Sequence, residues 1–156
     1  MKNKIKLILS ILLPQAAGGL GAFLMAGSLT DWYSGLEKSS ITPPDFVFGP
    51  VWVTLYLLMG VAAYLVWRRT DTNIEAKKAM NIYWLHLALN ASWTPIFFGL
   101  QNVSLALVNI VVLWILILIL ILKFYKISKT ASYLLIPYIL WVSIAIYLNH
   151  PILILN

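Results

Sequence analysis

Three stripes of aromatic and amide side chains are where this sequence could do chemistry. Trp52 and Tyr56 stand four residues apart. His86, Asn90, Trp93 and Phe97 follow at intervals of four, three and four, and Tyr138, Trp141, Ala145 and Asn149 at three, four and four. Residues three and four apart on a helix share a face, so each set is one stripe. Gly60 and Ala63 continue the first with small residues. A cavity lined this way is apolar and aromatic with a few hydrogen-bonding groups, which is the make-up of a small-molecule site. Its natural guest is flat, large and hydrophobic.

Conventional catalysis has little to work with. The chain has no cysteine, which excludes disulfides, thiolate metal sites and a cysteine nucleophile. No acid–base dyad or metal-ligand cluster is visible, so neither a metal nor an obligatory cofactor is expected. His86 is the one side chain inside an apolar run that titrates near neutrality. It reads either as a neutral histidine bonded between helices or as a haem ligand or proton acceptor. His150, at the end of the last run, reads as an interfacial residue or as a group reaching a ligand at the pocket mouth.

The elements that must position these residues are apolar runs. Of 156 residues, 62% are hydrophobic and 10% charged, with 11 basic and 5 acidic side chains, against about a quarter charged in a soluble domain. About 20 apolar residues cross a bilayer as a helix, and five such runs stand out: 5–29, 46–67, 79–100, 103–122 and 131–149. The last four lack Asp, Glu, Lys and Arg altogether, and the first holds only Lys6 at its edge. They lack the alternation of a lipid-facing barrel, and a lipid-embedded backbone must satisfy itself, so helices follow. With so little intramembrane charge, an ion pump or proton-coupled carrier is not expected. The basic residues cluster between runs rather than across a surface, which argues for a lipid bilayer and against nucleic acid as the partner.

Loop charge gives an orientation. Lys2, Lys4, Lys6, Arg68, Arg69, Lys77, Lys78, Lys123, Lys126 and Lys129 fall on one side and only Lys38 on the other. This places the N-terminus inside and the C-terminus outside. The N-terminal run has some features of a signal peptide, but it continues past Ala17 to Leu29 without a clear small-x-small site, so it reads as the first span.

Connections are short except one. Gln101-Asn102 forces a tight hairpin, whereas the segment from Thr30 to Asp45 carries Asp31, Trp32, Tyr33, Glu37, Lys38, Pro43 and Pro44. Its aromatics and proline pair predict a packed loop, lying over the half of the bundle that contains Trp52, Trp93 and Trp141. A long loop in a compact protein is usually functional or disordered. Trp67, Trp84 and Tyr125 fit an interfacial belt. The run at 103–122, mostly Val, Leu and Ile with Asn109 and Trp114, reads as lipid-facing, and the second, third and fifth runs as lining the cavity. Pro14, Pro95 and Pro137 are expected to interrupt helices, and Pro50 to sit in a first helical turn. Gly18, Gly19, Ala22 and Ala26 permit close helix approach, by internal packing or in a homodimer. No internal repeat is seen, which weakens an inverted-repeat transporter reading.

In order along the chain stand Trp32-Tyr33-Ser34-Gly35-Leu36-Glu37-Lys38, Pro43-Pro44, Val51-Trp52-Val53-Thr54-Leu55-Tyr56-Leu57-Leu58-Met59-Gly60, Leu89-Asn90-Ala91-Ser92-Trp93, Phe97-Phe98-Gly99 and Pro137-Tyr138-Ile139-Leu140-Trp141. This series closely resembles the tryptophan-rich sensory protein family, also known as translocator protein or peripheral-type benzodiazepine receptor (TspO/MBR). The resemblance implies a single domain over 1–156. It would be an all-α membrane protein, a five-transmembrane-helix bundle with the N-terminus inside and a long first extracytoplasmic loop capping a pocket. It further implies a multi-pass protein of the bacterial cell membrane, linked to stress responses. The implied ligands are porphyrins such as protoporphyrin IX and haem, and isoquinoline-type compounds. Trp52 and Trp141 match tryptophans tied to light-dependent oxidative porphyrin breakdown. Trp32, Tyr33, Pro43, Pro44, Tyr56, Asn90, Trp93, Phe97, Tyr138 and Ala145 complete the expected binding set.

Two departures from the family pattern matter. Tyr147 is followed by Leu148, Asn149, His150 and Pro151, with no basic residue for the cholesterol motif of animal members, a weak motif even when complete. Ser39 stands where the family often has proline. Transport of porphyrins or other hydrophobic molecules, and a scaffold acting through protein partners, are the alternative functions.

Overall fold

The computed structural model describes the backbone of residues 1–156 and the side chains of all but residues 28–30. The side chains of Leu29, which ends the first expected run, and of Thr30, which opens the expected loop, therefore lie outside the described residues. The regular elements described are all helical. They are α1 (Lys2–Thr30), α2 (Asp45–Trp67), α3 (Ile74–Thr94), α4 (Val103–Ile127), α5 (Lys129–Leu134) and α6 (Ile136–Leu155). A short 3₁₀ turn covers Tyr33–Gly35, and a π-helical turn, Pro95–Gly99, continues α3. Four stretches are long and apolar enough to cross a membrane: Lys2–Gly27, Asp45–Trp67, Val103–Ile127 and Lys129–Leu155. The other long helix, α3, is more polar, since it opens with Glu75, Lys77 and Lys78 and carries His86 and Asn90.

The helices outrun the apolar runs because polar residues start them and charged residues continue them into the turns. Asn73 caps α3, its Oδ1 accepting from the N–H groups of Glu75 at 2.9 Å and Ala76 at 3.2 Å, and Glu75 in the first turn complements the helix dipole. Asn102 caps α4 by accepting from Leu105 N–H at 2.9 Å, and Ser128 caps α5 through Ala131 N–H. Helix α4 passes Lys123 and Lys126 because Phe124 and Ile127 remain buried on its inner face.

The prolines divide into two kinds. Pro95 opens the π turn and Pro137 stands at the start of α6, where the rod is broken at Leu135. Pro14, Pro50 and Pro151 lie inside helices. The expectation for Pro50 is corrected by this: α2 begins at Asp45, five residues earlier, so Pro50 is past the first turn. The last helix likewise runs through Pro151 to Leu155 instead of stopping at Asn149. A proline removes one backbone donor, but Ile152 beyond it is buried against Phe97, Phe98 and Ala106, which holds the turn in place.

The reading of α4 as mostly lipid-facing holds for one side, where Leu105, Val108, Val112, Ile115 and Leu122 are exposed, and fails for the other. Ala106, Asn109, Ile110, Leu113, Ile117, Leu120, Phe124 and Ile127 are all buried along it, and it packs against α3, α5 and α6. A continuous Val/Leu/Ile surface carries no mark of which side faces protein, so periodicity was blind here. Peripheral packing falls instead to α1, whose apolar side chains Leu12, Leu20 and Phe23 are exposed.

Helix α1 meets α2 at glycines. A β-carbon on Gly60 would lie 2.5 Å from the Ser10 carbonyl oxygen, and one on Gly18 would lie 2.3 Å from the Tyr56 ring. At its basic end α1 is held by Lys6, whose Nζ donates to Trp67 O at 3.2 Å and pairs with Asp71 at 3.1 Å.

In the α3–α4 hairpin, Gln101 has φ 52°, the left-handed region that costs a side-chain-bearing residue about 1–2 kcal/mol. Gln101→Gly should therefore raise stability by about 0.5–1 kcal/mol, the remainder being offset by glycine's greater unfolded-state entropy. A higher thermal midpoint in detergent checks this.

Candidate functional site

The expected site residues fall into two groups at the loop end of the bundle. The first is built on the π turn. Trp93 stacks on Phe97 with centroids 4.9 Å apart and planes at 15°. Trp32 meets Phe97 edge-on at 5.3 Å, and Tyr33 lies 5.6 Å from Phe98. The π turn makes this possible: Pro95 lacks the N–H that would continue α3 regularly, and the widened turn buries both Phe97 and Phe98. The loop is thus seated by its own aromatics. It is also tied at Glu37, whose N–H donates to Asn156 Oδ1 at 3.0 Å while Asn156 Nδ2 donates to Glu37 O at 3.0 Å.

The second group lies between α2, α3 and α6. Trp52 sits 5.4 Å from Tyr56 and 6.4 Å from Tyr138. Behind these rings runs a chain of hydrogen bonds. Tyr56 O–H donates to Asn90 Oδ1 at 3.0 Å, and Asn90 Nδ2 donates to Tyr138 Oη at 2.7 Å. Tyr138 Oη lies 2.9 Å from His86 Nε2, and His86 Nδ1 lies 3.2 Å from Tyr83 O. A carbonyl can only accept, so Nδ1 carries the proton, Nε2 accepts, and Tyr138 donates to it. His86 therefore bridges α3 to α6, with both its ring nitrogens engaged. His150 is exposed.

Trp93 belongs to the first group and also packs against the main core, which includes Tyr138. Trp141 contacts Phe48 at 5.8 Å, and Ala145, one turn on, is half-buried against the main core. Pro43 and Pro44 serve the chain turn: Pro44 is the N-cap residue of α2, and its carbonyl accepts from Val47 N–H at 3.0 Å.

Around Trp93 several polar atoms are buried with no hydrogen-bond partner among the described residues: Trp93 Nε1, Asn109 Oδ1 and both amide atoms of Asn149. Asn109 donates to Ser92, the neighbour of Trp93, at 2.8 Å. Asn149 lies one helical turn before Ile152, which packs on Phe97 and Phe98. Buried polar groups are nearly always satisfied, so this set is a cost the fold carries next to its aromatic groups. At the opposite, basic end a concavity of about 410 Å³ is lined by Trp67, Thr70, Asp71, Lys77, Met80, Asn81 and Trp84, with Trp67 and Trp84 edge-on at 5.1 Å.

Sequence reasoning missed Phe48, Phe98 and the Glu37–Asn156 tie. Phe48 stands four residues before Trp52, so helical spacing could have found it. Phe98 is adjacent to Phe97, and only the π turn buries both. Nothing in the sequence links Glu37 to Asn156.

Burial pushes the Tyr33 hydroxyl above its ordinary value of 10.0, with the Asp45 carboxylate adding to the shift. Its proton is held more tightly in the folded protein, so the seated loop keeps its full stability below about pH 10. That contribution is lost as the pH rises through the raised value. Tryptophan emission of the loop should therefore change at strongly alkaline pH, and Tyr33→Phe should remove that step.

The chain matches the family model described as TspO/MBR family over residues 10–155. It is 42% identical to the tryptophan-rich protein TspO of Archaeoglobus fulgidus over 154 residues, 99% of each chain. It is 37% identical to the human translocator protein over 140 residues, 89% of this chain and 83% of that one. It is 33% identical to the tryptophan-rich sensory protein of Cereibacter sphaeroides over 126 residues, 81% of this chain and 77% of that one. The match spans the loop, the π turn and all five long helical segments, and the chain belongs to the TspO/MBR family of membrane proteins.

Proposed function

We propose that the protein is a five-span membrane receptor for porphyrins, such as protoporphyrin IX and haem, and for isoquinoline-type ligands, with its N-terminus inside and the Trp32–Tyr33 loop closing the pocket from outside. Helix α3 crosses the membrane as well, its polar residues turned to the bundle and its charged start left in water. The observation that carries the reading is Trp93, stacked on Phe97, packed against the main core and set among unpartnered buried polar atoms that include its own Nε1. A flat ring taken in there exchanges aromatic contacts for aromatic contacts and offers partners to Trp93 Nε1 and the Asn149 amide. Burial of its apolar face contributes roughly 25 cal/mol per Å² removed from water.

Propionates cannot be buried unpaired. Lys38 is the cation on the loop, resting over the Tyr33 ring at 4.3 Å with no ion pair among the described residues. It pairs with a propionate at the pocket mouth. Lys38→Gln should weaken protoporphyrin IX by up to about 1 kcal/mol, as for an exposed pair, and leave its uncharged dimethyl ester unaffected. Under light, the excited porphyrin draws an electron from Trp52 or Trp141, because indole is the most easily oxidised side chain in a chain without cysteine.

Titration of purified protein with protoporphyrin IX in the dark, followed by tryptophan fluorescence, tests the binding step. Saturable quenching is expected. Quenching that never saturates would overturn the porphyrin reading.

A further inference from the structure

We infer that Tyr138 and His86 form a proton-coupled electron relay that re-reduces Trp52 after it has been oxidised. The inference rests on the reading above for the source of the oxidant, an excited tetrapyrrole, but its geometry stands apart from it. The Tyr138 ring lies 6.4 Å from Trp52, and its hydroxyl is 2.9 Å from His86 Nε2, within the range required of a general base. The opposite His86 nitrogen is fixed as the N–H donor by the Tyr83 carbonyl, so Nε2 presents its lone pair to Tyr138 and to nothing else among the described contacts.

The step balances. One electron passes from Tyr138 to the Trp52 indole radical cation, and the phenolic proton passes to His86 Nε2. The products are neutral Trp52, a neutral Tyr138 phenoxyl radical and a His86 imidazolium. The net charge is unchanged: the positive charge moves from the half-buried Trp52 indole to the buried His86 ring, where both imidazolium N–H groups find acceptors already in place at Tyr138 Oη and Tyr83 O. Low local dielectric makes such a satisfied network strong.

Tyr56 shows why proximity alone does not choose the relay. Its ring is nearer to Trp52, at 5.4 Å, but its hydroxyl donates to the Asn90 amide oxygen, which is too weak a base to take a proton. Oxidation of a phenol requires that the proton leave with the electron, so the hole passes Tyr56 and settles on Tyr138.

The test needs no porphyrin. The indoles of the whole protein in detergent are photo-ionised by a pulsed ultraviolet laser, with the ejected electrons scavenged. The Trp52→Phe trace is subtracted to isolate Trp52. The expected result is decay of the indole radical matched by growth of a phenoxyl signal, slowed in deuterated water. Tyr138→Phe should abolish the phenoxyl signal. His86→Gln, which keeps a hydrogen-bonding group and loses the base, should cut its yield at least about tenfold. No phenoxyl growth, or no deuterium effect on it, in the unsubstituted protein would overturn the relay whether or not any variant folds. A second arm excites bound protoporphyrin IX. A relay seen in the first arm and absent in the second leaves the relay standing and counts against the porphyrin as oxidant.

Discussion

Illuminated with protoporphyrin IX bound, Trp52→Phe should bleach the porphyrin at least about tenfold more slowly than the unsubstituted protein, a change equivalent to 1.4 kcal/mol of barrier. Its dark titration midpoint should shift by no more than about threefold, since an aromatic ring still faces Tyr56 and Tyr138 and a hydrophobic exchange at partial burial costs little. The two outcomes separate because phenylalanine keeps the packing and removes the oxidisable indole. Trp141→Phe should give a smaller loss. Trp52 has the Tyr138 ring 6.4 Å away, edge-on, whereas the ring paired with Trp141 among the described ring contacts is Phe48. Unchanged bleaching in both variants would assign the reaction to the porphyrin and oxygen alone and leave the protein a receptor.

How far the sequence could be read follows from what each signal encodes. Apolar length reports helices well: three expected runs lie within single helices, 79–100 covers most of α3 and the π turn, and 131–149 covers parts of α5 and α6. It reports some ends poorly, because Asn73 and Ser128 start helices in polar turns where hydropathy has already fallen, whereas α4 starts at Val103 where its apolar run does. Helical spacing placed Trp52 with Tyr56 and His86 with Asn90 on shared faces. It could not say that Tyr138, from another stripe, would supply the hydroxyl that links them, since that contact joins residues 52 and 48 positions apart. Periodicity failed on α4 for a plain reason. Where most positions are Val, Leu or Ile, little contrast remains between the lipid face and the protein face. The π turn at Pro95 was foreseen only as an interruption. Its consequence, that adjacent Phe97 and Phe98 both turn inward and seat Trp32 and Tyr33, depends on a backbone geometry that side-chain patterns do not specify.

Gly60→Ala should destabilise the protein by about 1–3 kcal/mol, the usual cost of forcing a methyl into a filled contact. The new β-carbon would meet the Ser10 carbonyl oxygen at 2.5 Å and Ile11 Cα at 2.9 Å. Both are backbone, so no side-chain rotation relieves them and α1 must retreat from α2. In a bilayer that retreat is not resisted by the hydrophobic effect, because lipid tails are as apolar as the helix, and association depends on close packing of small residues. The same helix supplies the controls. A β-carbon on Gly19 meets nothing within 4 Å, so Gly19→Ala should be neutral or stabilising by up to about 1 kcal/mol through helix propensity. Gly18→Ala is the informative intermediate: its β-carbon would lie 2.3 Å from Tyr56 Cε2, and the ring can yield only by giving up its 3.0 Å hydrogen bond to Asn90. It should therefore cost less stability than Gly60→Ala yet disturb the site more, weakening porphyrin quenching while the fold survives. Thermal midpoints and dark titrations of the three variants check this order. Equal midpoints for Gly60→Ala and Gly19→Ala would mean that α1 does not rest on α2 through Gly60, and the account of how the first helix is held would fall with that contact.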